Sequence, residues 1–163
     1  MYLIGKIKPN PTTMRILQFI VALAIITTIF SCSDYARLER REDRLIGAWE
    51  FDKAFYWGYG QIFRDNVIDQ FNGDIIEFYE DYTAIYDDYS EGIVYAGEWE
   101  LFFDRQWEGD DTDIEFFLDM YFFGPFGQES FAYFTCVNHI SNNKLHIEAR
   151  TRHGLYTFKF RRL

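Results

Sequence analysis

Between Ile93 and Asp104 the chain sets Ile93, Tyr95, Gly97, Trp99, Leu101 and Phe103 at every second position, with Glu98, Glu100 and Asp104 among the residues between them. A helix would scatter these rings around its circumference, whereas a pleated strand lines them up on one face. The same period returns in Ile114, Phe116, Leu118, Met120 and Phe122, opposed by Asp113, Glu115 and Asp119. It returns again in Leu145, Ile147 and Ala149, and in Tyr156, Phe158 and Phe160 with Lys159 and Arg161 between. After residue 45 no window carries a convincing helical stripe, so the body of the chain is predicted to be all-β.

Turn residues divide the runs: Asn72-Gly73-Asp74, Ser90-Glu91-Gly92, Glu108–Asp111, Gly124–Gln128, Ser141-Asn142-Asn143 and His153-Gly154. Small and polar residues of these kinds permit tight reversals. The predicted strands are 46–56, 62–70, 74–80, 83–89, 93–104, 113–123, 130–139, 143–151 and 154–162. Residues 60–71 are the weakest of these, because Ile62, Phe63, Val67, Ile68 and Phe71 also fit a short helix. Sequential strands joined by short turns form an antiparallel meander, and closure removes both sheet edges. The expected fold is a small antiparallel up-and-down barrel of about eight strands, with a two-sheet β-sandwich as the alternative. Carboxylates in nearly every outward register argue against a barrel whose outside faces lipid.

The amino-terminal third reads as an address. Residues 16–30, ILQFIVALAIITTIF, carry no charge and follow Arg15, Lys6 and Lys8. Fifteen apolar-rich residues are short for a membrane span and suit the apolar core of a secretory signal. Met14 is an alternative true start. Ile29-Phe30-Ser31-Cys32 resembles the processing box of bacterial lipoproteins. The resemblance implies cleavage before Cys32, lipid on its thiol and acylation (palmitate) of the new amino terminus, since more than one chain is needed for lasting anchorage. The expected organisation is residues 1–31 as signal peptide, 32–44 as lipidated cysteine and charged tether, and 45–163 as the β-domain. The tether, DYARLERREDR over 34–44, is expected to be a solvated spacer, with a short helix as the alternative. The expected location is the bacterial cell envelope, at the outer membrane, with the lipid anchor making the membrane a partner.

Composition narrows the function classes. Two cysteines and three histidines cannot build a multi-disulfide scaffold or a cysteine-rich zinc site. A net charge of −10 argues against nucleic acid as a partner. The 18 Phe, 12 Tyr and 4 Trp supply an ample core. Charge is uneven: residues 50–129 hold 21 acids against Lys53, Arg64 and Arg105, while six Lys and Arg after residue 130 face Glu148 alone. If the last strand pairs with the first, Arg150, Arg152, Lys159, Arg161 and Arg162 are expected to neutralise the acidic wall. A bipolar surface for a cationic partner or anionic lipid is the alternative.

Leu45-Ile46-Gly47-Ala48-Trp49-Glu50-Phe51 resembles the Gly-x-Trp opening strand of lipocalin-like domains, in the version found in lipoproteins of the Bacteroidetes type. Ile76–Ala84 is similar to that group's F-x-x-D-G-T hairpin, with Tyr82 where Gly is usual; a Tyr there resists a positive φ. Tyr95–Leu101 resembles its Y-x-G-x-W strand, and Asn143–Ile147 its late turn and strand. The resemblance covers residues 45–163 and implies a lipocalin-like barrel. Trp49, Tyr95, Trp99, Phe103, Phe116 and Phe158 are expected to line a ligand cavity or form the core.

No catalytic set is indicated. His139, His146 and His153 read as surface histidines and Cys136 as a small buried hydrophobe. Asp104–Glu115, DRQWEGDDTDIE, faintly resembles a calcium loop but reads as a solvated hairpin turn, so no metal and no cofactor is expected. Phe122–Gly127 makes an apolar turn suited to a partner or a cavity mouth. The functional expectation is a lipoprotein whose barrel binds a small apolar or amphipathic ligand. The alternative is a filled barrel serving as a non-catalytic surface interaction or structural module for a protein partner.

Overall fold

The computed structural model describes residue 20 and residues 34–108, 111–124 and 130–163. The expected signal segment, the lipid-attachment residue Cys32 and most of the apolar turn after Phe123 lie outside them. The chain divides after Arg37, and the second unit, Leu38–Leu163, contains the whole β-domain. No helix among the described residues is long and apolar enough to cross a membrane.

Nine strands follow in order: β1 (Gly47–Gly58), β2 (Asp65–Asn66), β3 (Ile75–Phe78), β4 (Thr83–Asp88), β5 (Ile93–Glu108), β6 (Asp111–Phe123), β7 (Ser130–Ile140), β8 (Lys144–Arg150) and β9 (Gly154–Arg162). Each pairs antiparallel with its neighbour in the order β1-β3-β4-β5-β6-β7-β8-β9, and β9 pairs back onto β1 from Gly58↔Gly154 to Trp49↔Arg162. This is a closed eight-stranded up-and-down barrel and fits a lipocalin-like architecture. β2 is a two-residue addition to β1, opposite Phe55 and Tyr56, where β3 has already left that edge. The buried core residues all belong to the second unit.

The ring-bearing register of each strand faces inward, as the alternation requires. Tyr95, Trp99 and Leu101 are buried on β5, and Phe116, Leu118, Met120 and Phe122 on β6. Gly97 keeps that register because a Cβ there would collide with the carbonyl oxygen of Tyr121 and sit 2.6 Å from the Phe122 ring.

Two segments depart from expectation. Residues 62–70 hold only β2 and a 3-10 turn, Ile68–Gln70, instead of a full strand. The charged stretch over 34–45 is a helix, α1, rather than a solvated spacer. Leu45 is fully buried, Leu38 packs against the core, and the Arg41 guanidinium lies 3.9 Å from the Phe116 ring centre. The guanidinium covers the face of this ring, where a cation is attracted by the ring electrons. The stretch Asp104–Glu115 belongs to a hairpin, as expected, with strands longer than predicted: β5 and β6 run as a ladder from Ala96↔Phe123 to Glu108↔Asp111, with Asp104 opposite Glu115.

The hairpin at Tyr82 takes the positive φ that a tyrosine was expected to resist. Tyr82 has φ of 64°, and its ring rests 5.1 Å from that of Trp99. Ring contact of this kind offsets part of the steric cost of a left-handed tyrosine.

Candidate functional site

The barrel interior is the first place to look for a site, and rings bridge it. Tyr86 on β4 lies 6.4 Å from Phe51 on β1, 5.6 Å from Phe122 on β6 and 5.7 Å from Phe131 on β7. Tyr133 on β7 lies 6.1 Å from Phe158 on β9. None of these strand pairs are neighbours in the sheet, so the contacts are made between inward-facing rings inside the barrel. Phe158 also meets Phe51 and Phe71, at 5.5 and 5.1 Å.

Of the residues expected to line a cavity or the core, Trp49, Tyr95, Trp99, Phe116 and Phe158 are buried and Phe103 is half-buried against the same core. They fall into separate groups. Tyr95 joins Tyr86 and Phe131, with centroids at 6.0 and 5.0 Å. Trp99 joins Phe78 at 5.8 Å, and Phe103 joins Phe116 at 6.2 Å. The two indoles are satisfied by backbone: Trp49 Nε1 donates to the Leu45 carbonyl at 2.7 Å, and Trp99 Nε1 to the Tyr79 carbonyl at 3.1 Å.

Among the described residues, one carboxylate is buried among the rings. Asp74 precedes β3, accepts the Tyr86 hydroxyl at Oδ2 and accepts the Tyr89 amide at Oδ1, 3.0 Å away. Burial raises its pKa, the bonds from Tyr86 and Tyr89 oppose that, and Asp88 and Asp87 add to it. Burial and the neighbouring carboxylate push Tyr86 up, and burial followed by Asp74 pushes Tyr133 up to about 12. Both carboxylate oxygens are engaged within the fold, so the group acts as a clamp between the start of β3 and the end of β4.

The outer surface carries the unpaired chemistry. A groove of about 630 Å³ opens where β4 starts at Thr83 and β5 runs on, bordered by Tyr82, Trp99, Phe102, Glu98 and Glu100. Directly across β5 and β6, Glu100 faces Asp119, whose pKa is raised by burial first and by Glu100 second. The acidic wall is therefore on β5 and β6, opposite β9 around the barrel.

The closing strand neutralises little of it. Arg161 pairs with Glu50 on β1 at 2.6 Å. Arg162 instead donates from Nη1 to the Ile46 carbonyl at 2.7 Å, from Nε to the Asn142 carbonyl at 2.5 Å, and from Nη2 to the Arg44 carbonyl. Gly47, at φ of 121°, makes room for this guanidinium, since a Cβ there would lie 2.6 Å from Nη1. Lys159 faces Lys53 on one side and His146 on the other.

Cys136 is half-buried on the outer face rather than in the core, opposite Glu148, because β7 turns Phe131, Tyr133, Thr135 and Val137 inward. Burial, then Glu115 and Glu148, raises its thiol pKa. His139 and His146 stand opposite each other with ring centres 5.3 Å apart, which their spacing in the chain did not reveal. Among the described residues no group of three or more His, Cys, Asp or Glu side chains is placed to hold a metal ion. No protein-family model, curated protein or solved structure matches the chain.

Proposed function

We propose that this chain is a lipid-anchored protein of the bacterial cell envelope whose barrel is a filled, non-catalytic interaction module. The observation that carries the reading is the run of ring contacts inside the barrel, from Phe51 through Tyr86 and Phe131 to Tyr133 and Phe158. A carrier of an apolar ligand needs a cavity of several hundred Å³ in that space. Here the rings of Phe51, Tyr86, Phe122, Phe131, Tyr133 and Phe158 pack against one another in that space, which supports a filled interior. The box ending at Cys32 supports the anchor, with the barrel held at the surface of the outer membrane.

Native mass spectrometry of residues 34–163 purified from the envelope tests the filled interior. The expected result is the mass of the polypeptide alone. A stoichiometric apolar ligand that survives gentle desolvation would restore the carrier reading. Palmitate labelling of the full chain, abolished by Cys32→Ser, is the expected result for the anchor; labelling unchanged by that substitution would refute it.

A further inference from the structure

Four basic side chains stand in one line across the outer face of the barrel. His139 on β7 is opposite His146 on β8, His146 is opposite Lys159 on β9, and Lys159 is opposite Lys53 on β1. Directly opposed residues on one sheet face hold their Cβ atoms about 4.5–5.5 Å apart, and like charges so placed, here Lys159 and Lys53, repel. Lys144 and Arg161, also opposite each other, flank the line.

Two irregularities create this row. Strict alternation after Phe51 would turn Lys53 inward, and after Val137 it would turn His139 inward. The register slips between Phe51 and Lys53 on β1, and between Val137 and His139 on β7. Asp52 and Lys53 are both exposed as a result, as are Asn138 and His139. Bulges re-aim side chains and are common beside functional sites. Here one bulge stands at each end of the row.

The counter-charge within the chain is small. Glu50 is held by Arg161, and Asp52 is the only carboxylate lining the groove of about 340 Å³ that contains Lys53, Lys144, His146 and Lys159. The His146 imidazole is held below its usual pKa, by burial first and then by Lys159, His139 and Lys144, against Asp52. A chain of net charge −10 thus keeps a local positive strip with an open groove along it.

We propose that this groove is a binding site for a phosphate-type oxyanion, free or carried as the headgroup of an anionic lipid. Several acceptor oxygens on one compact anion suit ammonium donors arranged in line, and charge-assisted bonds are the stronger kind. Binding also relieves the repulsion along the row. The site is independent of whether the lumen is filled and of whether Cys32 is acylated.

The test uses residues 34–163, whose barrel closes its own core, and three histidines as reporters. Titration with inorganic phosphate, followed by imidazole proton NMR, is expected to shift His139 and His146 saturably. His153, in the turn between β8 and β9 at the other end of the barrel, is expected to stay still. The double variant Lys53→Gln, Lys159→Gln removes like charges rather than core contacts, and thermal unfolding checks that it folds. It is expected to weaken the phosphate response at least about tenfold.

Sedimentation with vesicles identifies the source of the anion. Binding to phosphatidylglycerol-containing vesicles but not to phosphatidylcholine alone, lost in the double variant, assigns a lipid headgroup. A phosphate response without vesicle binding assigns a free phosphate ester. Equal shifts of all three histidines, a double variant that responds like the parent, or silence in both arms would overturn the proposal.

Discussion

The guanidinium carbon of Arg162 lies 4.5 Å from the centre of the Trp49 ring, and the two residues stand opposite each other where the last strand meets the first. Arg162 therefore closes the barrel twice, through the strand ladder and through its fork of bonds to the Arg44, Ile46 and Asn142 carbonyls. Lysine keeps the charge but can neither lie flat on the indole nor reach three carbonyls. Arg162→Lys is expected to lower the unfolding free energy by about 1–3 kcal/mol in urea titration. A change within about 0.5 kcal/mol, the range of ordinary surface substitutions, would show that the fork does not hold the seam.

Leu45, at the end of α1, is fully buried, and its carbonyl accepts the Trp49 indole. Leu45→Ala is expected to cost about 2–5 kcal/mol, the range for a leucine removed from a packed core. Chemical unfolding of residues 34–163 measures this. A neutral outcome would return the segment to a mere spacer.

The clamp between Asp74 and Tyr86 gives two expectations. Tyr86→Phe leaves a buried carboxylate without its phenol donor and is expected to destabilise by about 1–3 kcal/mol. The second is a pH dependence. The folded-state pKa of Asp74 is raised above the ordinary 3.8, so the folded chain holds this proton more tightly than the unfolded one. Its contribution is therefore complete below 3.8 and is lost as pH rises through the folded value. The stability of the parent minus that of Asp74→Asn should fall across this window in urea titrations at stepped pH. A difference that rises with pH would contradict the assigned direction.

Gly97 lies against β6 with no space for a methyl group. Gly97→Ala is expected to cost about 1–3 kcal/mol through forced displacement of Tyr121 and Phe122. Calorimetry on the parent and the variant gives the comparison, and equal melting temperatures would mean that the two strands separate freely at this point.

Much of the barrel was legible because extended sterics act over two residues and leave their mark in the chain. The runs at 93–104, 113–123, 143–151 and 154–162 predicted β5, β6, β8 and β9 to within a few residues. Residues 62–70 misled because their apolar residues have no sheet partner along their length: Val67 and Ile68 pack against the core, while Ile62 and Phe63 are exposed. Helix α1 had a readable signal in Leu38, Arg41 and Leu45, spaced by three and four. The helix ranked only as the alternative because the middle member of this stripe is an arginine, whose guanidinium covers the Phe116 ring. Cys136 was misread because its strand is apolar on both faces: Phe134, also outward, is 57% exposed.

By itself the sequence determined the extended segments, their inward rings, the reversals between them and the excess of acid over base. Closure decided the rest. Only the joining of β9 to β1, and two bulges that interrupt the two-residue period, bring Lys53, Lys159, His146 and His139 into one row. A bulge shifts every later side chain to the other face without altering composition or spacing, so such a row exists only once the strands have chosen their partners.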